Sequence, residues 1–133
     1  MKPCGVRILG TGSAVPDYIL DNDELSKEHG VDAAWIEQRT GIIERRICSD
    51  DEGTFELQCK ALKSALIDTG LKGSDLSLII CASVTSEMTC PSNACRVAAE
   101  VNAKPAGAFD IVAACCGFVY AMNVADCLIR SGQ

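Results

Sequence analysis

Short apolar runs alternate with segments of helical periodicity in the second half of this chain. Two of the runs, at residues 76–82 and 108–113, are bounded by turn residues and contain few polar side chains. Such runs are typical of strands that are buried on both faces of a sheet. Apolar residues recur at helical spacing over 55–69, 94–101 and 118–129. The alternation predicts an α/β fold in which a mainly parallel sheet is layered with helices.

The first half of the sequence predicts shorter elements. Residues 6–9 are expected to form a short strand that ends in a glycine turn. Two short helices are expected at 23–28 and 33–39, each followed by a glycine that ends it, and residues 42–47 form a strand or an extended link. The expected N-caps of the two helices are Asn22 and Asp32.

The chain ends soon after its last helical segment. Its 133 residues, of which 48% are apolar, have the size and composition of one globular domain. In an α/β fold the chain normally returns to the sheet after a helix as long as 117–131, yet the sequence stops at Gln133. We therefore expect residues 1–133 to be one half of a fold, truncated before the other half.

Charge and hydropathy exclude several functions. The 12 Lys and Arg residues against 18 Asp and Glu residues give a net charge of −6, so no overall field attracts nucleic acid or an anionic membrane. No apolar stretch approaches the roughly 18 to 20 residues that span a bilayer, and residues 1–7 lack the apolar core of a signal peptide. We therefore expect no nucleic-acid partner and no membrane insertion.

The nine cysteines form no recognisable metal or disulfide pattern. Their number is odd, no Cys-x-x-Cys pair occurs, and the single histidine, His29, lies far from any cysteine pair. We therefore expect reduced cysteines that serve mostly as small buried apolar residues, and no metal site.

The glycine turn at Gly10 and Gly12 raises the question of a dinucleotide site. In the Gly-x-Gly-x-x-Gly motif the third glycine would fall on Val15, and Pro16 follows where the helix should begin. The phosphate-binding turn is therefore incomplete. A tight turn at the end of the first strand is the favoured interpretation.

The strongest candidate for chemistry is the segment Ala-Ala-Cys-Cys-Gly at 113–117, where a buried strand is expected to turn directly into a helix. A nucleophile at such an elbow needs small neighbours and is exposed at the carboxyl end of the sheet. The free amides and the positive dipole end of the helix would stabilise a thiolate there. A catalytic elbow and two buried thiols in a tight turn are equally compatible with these residues, and spacing does not choose between Cys115 and Cys116.

Trp35 and Arg39 lie four residues apart on a short predicted helix and therefore on the same face. An indole and a guanidinium in this arrangement can enclose a flat heteroaromatic ring, and the guanidinium can also bind phosphate. The alternative is a single tryptophan that packs against the domain while the arginine covers its edge. On these residues alone, packing is the favoured interpretation.

Four motifs in the sequence resemble one known enzyme family. They are Ile-Leu-Gly-Thr-Gly-Ser at 8–13, Trp-Ile-x-x-Arg-Thr-Gly-Ile at 35–42, Pro-Ser-x-Ala-Cys at 91–95, and Phe-Asp-Ile-Val-Ala-Ala-Cys-x-Gly-Phe at 109–118. In this order along nearly the whole chain, they resemble β-ketoacyl-acyl carrier protein synthase III, an enzyme of the thiolase fold. The resemblance implies that residues 1–133 form the N-terminal half of a thiolase-like fold.

The resemblance also implies which residues carry the function. Cys115 matches the family's acyl-accepting cysteine, whereas Cys116 falls where the family usually has a small residue. Trp35 and Arg39 match the residues that hold the adenine of coenzyme A, and Thr40 lies beside them. No resident cofactor is implied, because coenzyme A enters as the thioester substrate.

The reaction of this family has two stages. An acyl group moves from acyl-CoA to the cysteine, and decarboxylation of malonyl-acyl carrier protein then supplies a carbanion equivalent that attacks the thioester. The resemblance implies a cytoplasmic homodimer that starts fatty-acid synthesis in this way. The family's catalytic His and Asn lie beyond Gln133, so residues 1–133 alone are expected to be inactive in condensation.

Two other functions remain open from the sequence. One is another thiolase-fold condensing reaction, which uses polyketide starters or joins two acyl-CoA molecules head to head. The other is a non-catalytic half-domain that binds acyl groups. A second half with one His and one Asn would favour an enzyme over the non-catalytic alternative.

Overall fold

The structure, a computed structural model, describes residues 5–132 of the chain. Two single-turn 3₁₀ segments, Gly73–Asp75 and Ala114–Cys116, lie among its helices and strands. None of the helices in this part of the chain combines the length and the apolar character that crossing a membrane requires. The elements, in chain order, are β1 (Tyr18–Asp21), α1 (Asn22–His29), α2 (Ala33–Thr40), β2 (Glu44–Ile47), α3 (Thr54–Thr69), β3 (Leu78–Ala82), α4 (Asn93–Glu100), β4 (Gly107–Ile111) and α5 (Gly117–Ser131).

The chain divides into two compact units. The smaller unit is the continuous segment Val15–Gly53, and the larger unit combines Met1–Ala14 with Thr54–Gln133. The sheet of the smaller unit is an antiparallel pair of strands, and that of the larger unit is a parallel pair. That residues 1–133 are one half of a larger fold stays a prediction.

The larger unit has the α/β arrangement that the sequence predicts. β3 and β4 pair in parallel, with Leu78 opposite Gly107 and Ala82 opposite Ile111. Helix α4 follows β3 in sequence and contacts both strands, α3 contacts α4, and α5 contacts β3. The predicted helices, strands and parallel pairing are therefore confirmed from Thr54 onwards.

The core of the larger unit lies where α3, β3 and α4 meet, and two cysteines belong to it. Cys59 on α3 and Cys81 on β3 are buried, and burial raises the pKa of both thiols, that of Cys81 to about 11. The prediction of small buried apolar cysteines is correct for these two. It is wrong for six other free cysteines, which are exposed: Cys48, Cys90, Cys95, Cys115, Cys116 and Cys127.

Residues 6–9 do not form the predicted strand. In the described part of the chain no strand pairs with them, and Ile8 and Leu9 are largely exposed. An extended apolar segment becomes a strand only when a neighbour supplies the ladder of hydrogen bonds. The apolar pattern is therefore present without the partner that would make it a strand.

The segment that contains Gly10 and Gly12 lies against α3. The Thr11 amide donates to the Asp68 carboxylate at 3.0 Å. A Cβ atom on Gly12 would collide with the α3 backbone at Ala61 and Ala65. The glycine is needed for close packing on a helix. The predicted tight turn is wrong, because residues 10–16 form neither a turn nor a bend.

The smaller unit contains one strand that the sequence does not predict. β1 pairs in antiparallel with β2, so that Tyr18 lies opposite Ile47 and Asp21 lies opposite Glu44. β2 falls within the segment 42–47 that was expected to be extended. β1 has four residues and no clear alternation, so only its pairing with a distant segment identifies it.

Helix α1 begins one residue earlier than predicted. Asp21, not Asn22, is its N-cap, because the Asp21 carboxylate accepts from the Glu24 amide at 2.8 Å. Asn22 is buried instead. Its Nδ2 donates to the carbonyl oxygen of Ile42 at 2.8 Å, and its Oδ1 accepts from the Arg45 guanidinium at 2.7 Å. Asn22, which was expected to cap the helix, therefore makes buried tertiary contacts instead.

β4 and α5 are less buried than the sequence predicts. Val112, just after β4, is 75% exposed, and Phe118 in the first turn of α5 is 72% exposed. An apolar groove of about 720 Å³ runs between α3, β3 and α5, where Leu62, Ile80 and Met122 are among the lining residues. Burial on both faces needs a second layer, which the described residues do not supply.

Candidate functional site

The elbow between β4 and α5 is a strained turn. β4 leads into the 3₁₀ segment Ala114–Cys116, and α5 follows directly. Ala114 has a φ of +44°, in the left-handed region that is unfavourable for a residue with a Cβ atom. The Cys116 amide donates to the carbonyl oxygen of Ala113 at 3.0 Å and closes the turn. Cys115 therefore lies at the centre of the turn, at the carboxyl end of a parallel strand.

Small residues allow this elbow to form. Gly117, the first residue of α5, is buried, and a Cβ atom there would lie 3.4 Å from the Cβ atom of Ala82 at the end of β3. The N-terminus of α5 thus approaches the carboxyl end of the neighbouring strand. The thiols of Cys115 and Cys116 are both exposed. The predicted strand, turn and helix are confirmed, and the alternative of two buried thiols does not fit.

The loop 83–92, which joins β3 to α4, leaves the sheet at the same edge as the elbow. The Ser83 amide donates to the carbonyl oxygen of the last residue of β4 at 3.3 Å. Glu87 fixes the loop, because its carboxylate accepts from the Phe55 amide at 3.1 Å and forms an ion pair with Arg96. The hydrogen bond from Arg96 lowers the pKa of Glu87. The loop is therefore tied to the first turns of α3 and α4.

Asp110 holds β4 against α4. Its carboxylate accepts from the backbone amides of Asn93 at 2.9 Å and Ala94 at 2.8 Å, the first two residues of α4. A carboxylate at this end of a helix satisfies free amides and complements the helix dipole. The sequence motif contains Asp110 without revealing this contact. The signal that could have found it is an acidic residue inside an otherwise apolar strand.

Trp35 and Arg39 are exposed on α2, four residues apart. Asp32 caps this helix and Gly41, with a φ of +70°, ends it, both as predicted. Trp35 is 52% exposed. Among the described residues, the Arg39 guanidinium makes no hydrogen bond or ion pair and does not stack on the indole. Both side chains are therefore free to contact a ligand.

Thr40 has a structural role at the end of α2. Its hydroxyl donates to the carbonyl oxygen of Ile36 at 2.7 Å and accepts from the Ile42 amide at 3.0 Å. The hydroxyl proton is therefore used within the chain. Towards a ligand, Thr40 can offer only its remaining lone pair.

The candidate residues belong to different units. Trp35, Arg39 and Thr40 are part of the smaller unit, whereas Cys115 is part of the larger one. Over residues 5–132, no group of three or more His, Cys, Asp or Glu side chains is arranged to hold a metal ion. Each unit thus presents a separate set of exposed side chains, a thiol pair in one and an indole with a guanidinium in the other.

Known proteins match both the sequence and the fold. Residues 109–133, which include the elbow, match the family model of 3-oxoacyl-[acyl-carrier-protein (ACP)] synthase III. The β-ketoacyl-[acyl-carrier-protein] synthase III 1 of Vibrio parahaemolyticus is 44% identical over 127 residues, which are 96% of this chain and 40% of the relative. These matches confirm the resemblance of the chain to β-ketoacyl-acyl carrier protein synthase III. The chain spans about 40% of the length of the curated synthase III relatives that it matches.

Solved structures agree with the synthase III assignment. The crystal structure of 3-oxoacyl-[acyl-carrier-protein] synthase III from Aquifex aeolicus has a TM-score of 0.93 and 44% identity, over 96% of this chain and 41% of that chain. The priming β-ketosynthase of the R1128 polyketide pathway has a TM-score of 0.91 and 34% identity, over 95% of this chain and 38% of that chain. The predicted thiolase-like fold is confirmed.

Proposed function

We propose that the intact protein is a 3-oxoacyl-acyl carrier protein synthase III that starts fatty-acid chains through a thioester on Cys115. The observation that carries the proposal is the elbow itself. Cys115 is exposed on a strained turn between a parallel strand and a helix, within the residues that the synthase III model matches. This is the geometry that a nucleophile at a strand-to-helix turn needs.

The first stage is acyl transfer to Cys115. Helix α5 begins directly after the elbow, and the positive end of its dipole favours the negative charge that develops there during acyl transfer. The Cys115 sulfur attacks the carbonyl carbon of acyl-CoA. A new sulfur–carbon bond forms, the bond to the coenzyme A sulfur breaks, and the proton of Cys115 leaves with the coenzyme A thiol.

The second stage forms the carbon–carbon bond. Malonyl-acyl carrier protein loses CO₂, the resulting carbanion equivalent attacks the Cys115 thioester, and 3-oxoacyl-acyl carrier protein is released as the Cys115 thiolate leaves. Negative charge develops on a thioester oxygen during decarboxylation and needs fixed donors. In the family these donors are a His and an Asn beyond Gln133. His29 does not match this His, because it lies upstream of the Trp35 motif in the sequence.

Trp35, Arg39 and Thr40 bind the adenine end of coenzyme A in this proposal. The exposed indole can stack on the adenine ring, and the unpaired guanidinium can bind its face or a phosphate group. Thr40 contributes an acceptor, since its proton is already donated to Ile36. Coenzyme A enters as the thioester substrate and leaves as the free thiol, so no resident cofactor takes part.

The active form is proposed to be a homodimer. β4 pairs with β3 along one side, and in the described part of the chain its other side has no partner strand. An unpaired edge next to exposed apolar residues such as Phe109 and Val112 favours association. Pairing of β4 with β4 of a second copy across a two-fold axis would cover this edge.

A second candidate function is the priming of a polyketide chain. The 34% identity with the R1128 priming β-ketosynthase supports it. The two functions differ in the carrier protein that receives the new chain. Assays of the intact protein with malonyl groups on a fatty-acid carrier protein and on a polyketide carrier protein distinguish them.

The nucleophile is tested by labelling with acyl-CoA. We expect the intact protein to become acylated on Cys115, the Cys115→Ala variant to lose this label, and the Cys116→Ala variant largely to retain it. Peptide mass spectrometry after incubation with acyl-CoA locates the acyl group. Acylation confined to Cys116 would show that the assignment of the nucleophile is wrong.

A further inference from the structure

A second thiol lies directly beside the one at the elbow. Cys115 and Cys116 are adjacent in sequence, both are exposed, and both belong to the 3₁₀ segment Ala114–Cys116, in which no residue is buried. We propose that the two cysteines form a redox pair: a peroxide oxidises Cys115, and Cys116 captures the oxidised sulfur as a disulfide within the turn. The proposal goes beyond the condensing reaction and does not depend on it.

Because Cys115 and Cys116 are adjacent in sequence, Cys116 can reach an oxidised Cys115 without any rearrangement of the fold. The peptide bond between the two cysteines is trans, which places their Cα atoms about 3.8 Å apart. No movement of one element relative to another can separate them. The Cys116 thiol is therefore always at high effective concentration beside Cys115, whereas any other cysteine must be brought to the turn.

The chemistry is a two-electron oxidation by a hydroperoxide. The Cys115 thiolate attacks the terminal oxygen, the oxygen–oxygen bond breaks, and the product is a sulfenic acid plus an alcohol, or water in the case of hydrogen peroxide. The Cys116 sulfur then attacks the sulfenic sulfur. A sulfur–sulfur bond forms, the sulfur–oxygen bond breaks, and hydroxide leaves as water with the proton of Cys116.

The spacing also makes the product easy to reduce. Disulfides usually join Cα atoms about 4.4 to 6.8 Å apart, so a bridge between adjacent residues is strained and more readily reduced. Bringing the two sulfur atoms together displaces no packed side chain of the turn, because none of its residues is buried and no side chain caps α5. Capture by Cys116 therefore stores an oxidised Cys115 in a form that thiols restore, whereas further oxidation to the sulfinic acid is irreversible.

The experiment is a peroxide titration of the full chain. The protein is treated with hydrogen peroxide, its free thiols are alkylated, and its tryptic peptides are analysed by tandem mass spectrometry. We expect the peptide with Cys115 and Cys116 to lose two hydrogen masses and to regain them with dithiothreitol. In Cys116→Ala we expect Cys115 to gain two oxygen atoms that dithiothreitol does not remove. Cys116→Ser serves as a second variant if the alanine variant fails to fold.

The matched control is Cys127→Ala. Cys127 is an exposed cysteine on α5 and belongs to the same tryptic peptide as Cys115 and Cys116. If the bridge joins Cys115 to Cys116, the peptide of the Cys127→Ala variant still loses two hydrogen masses. If the bridge involves Cys127, it does not. Equal rates of sulfinic acid formation in the wild type and in Cys116→Ala would overturn the proposal. A bridge from Cys115 to any other cysteine would also overturn it. Failure of acyl-CoA labelling would count against the proposed synthase and leave this result unaffected.

Discussion

Ala114 adopts a backbone conformation that alanine rarely occupies, and it immediately precedes Cys115. A left-handed conformation costs an L-residue with a Cβ atom about 1 to 2 kcal/mol. Strain of this kind persists only where neighbouring structure holds it, and it concentrates at functional sites. Here the pairing of β4 and the contact of Asp110 with α4 hold one side of the turn, and α5 holds the other. The strain supports the interpretation of the elbow as a functional site.

Arg39 gives a test of the proposed coenzyme A contact. In the intact protein we expect Arg39→Ala to weaken the binding of coenzyme A by about 1 to 2 kcal/mol, roughly tenfold, because a cation–π contact and a phosphate contact are lost together. Isothermal titration calorimetry measures the affinity. Gln38→Ala, an exposed change on the same helix, is the control that should leave affinity unchanged.

Two outcomes would contradict the role of Arg39. Unchanged affinity in Arg39→Ala, with the fold intact by circular dichroism, would mean that the Arg39 guanidinium does not contact coenzyme A. An equal loss in Gln38→Ala would mean that the whole helix, rather than the guanidinium, determines the affinity. Arg39→Lys separates charge from geometry, since it keeps the charge and loses the planar group.

Local chemistry predicts the helix ends better than it predicts individual contacts. Asp32 and Gly41 are identified from sequence because a cap and a left-handed glycine act within a few residues of their own position. Asn22 and Asp21 are both good caps, and the choice depends on Arg45, whose contact with Asn22 is not visible in a local pattern. Asp110 was recognised only as part of a motif, because its partners lie on α4.

Apolar periodicity predicts the helices of the larger unit, but it fails for strands whose formation depends on pairing with a distant segment. α3, α4 and α5 have apolar residues at helical spacing, and each is found where the spacing places it. Residues 6–9 have a strand pattern but no strand beside them in the described chain. β1 has a partner but almost no pattern. A strand is a property of two segments, so one sequence window carries only half of the information.

Gly12 gives a test of how the N-terminal segment packs on α3. We expect Gly12→Ala to lower the free energy of unfolding by about 1 to 3 kcal/mol, because the new methyl group would overlap the α3 backbone at Ala61 and Ala65. Chemical unfolding monitored by circular dichroism measures the difference. Gly5→Ala is the matched control, since no atom lies within 4 Å of the position that its methyl group would take.

Two results would contradict the interpretation that Gly12 is needed for packing on α3. If Gly12→Ala and Gly5→Ala unfold at the same denaturant concentration as the unmodified protein, the glycine is not needed for the approach to α3. Measurable binding of a dinucleotide at this segment would also contradict the interpretation, because it would require the phosphate site that Val15 and Pro16 interrupt.

The larger unit leaves much apolar surface uncovered, and this bears on what residues 1–133 do when purified alone. We expect them to self-associate and to form no ketoacyl product. Phe118, Val119 and Tyr120 are exposed on α5, so association removes apolar surface from water. Each missing donor for the developing oxyanion costs about 2.7 to 4 kcal/mol, a factor of 10² to 10³ in rate. Light scattering measures the mass, and mass spectrometry of the carrier protein detects product.

The expected self-association and the expected lack of ketoacyl product are tested separately. A clean monomer at micromolar concentration would contradict the part that concerns the exposed surface. Ketoacyl-acyl carrier protein formed at a rate that is lost on Cys115→Ala would contradict the part that concerns inactivity. The Cys115→Ala variant of the same 133 residues is the control, because it keeps the exposed surface and removes the thiol.

The smaller unit interrupts the larger one, and this fixes the order in which the chain can fold as it leaves the ribosome. The segment that contains Gly10 and Gly12 emerges first, but α3, against which it packs, is made only after Val15–Gly53 is complete. At roughly 5 to 20 residues per second, this segment exists for seconds before the helix that it packs against has been made. The smaller unit, which is continuous, can fold during that interval. The packing of the segment at Gly10 and Gly12 on α3 is therefore a later step than the folding of the smaller unit.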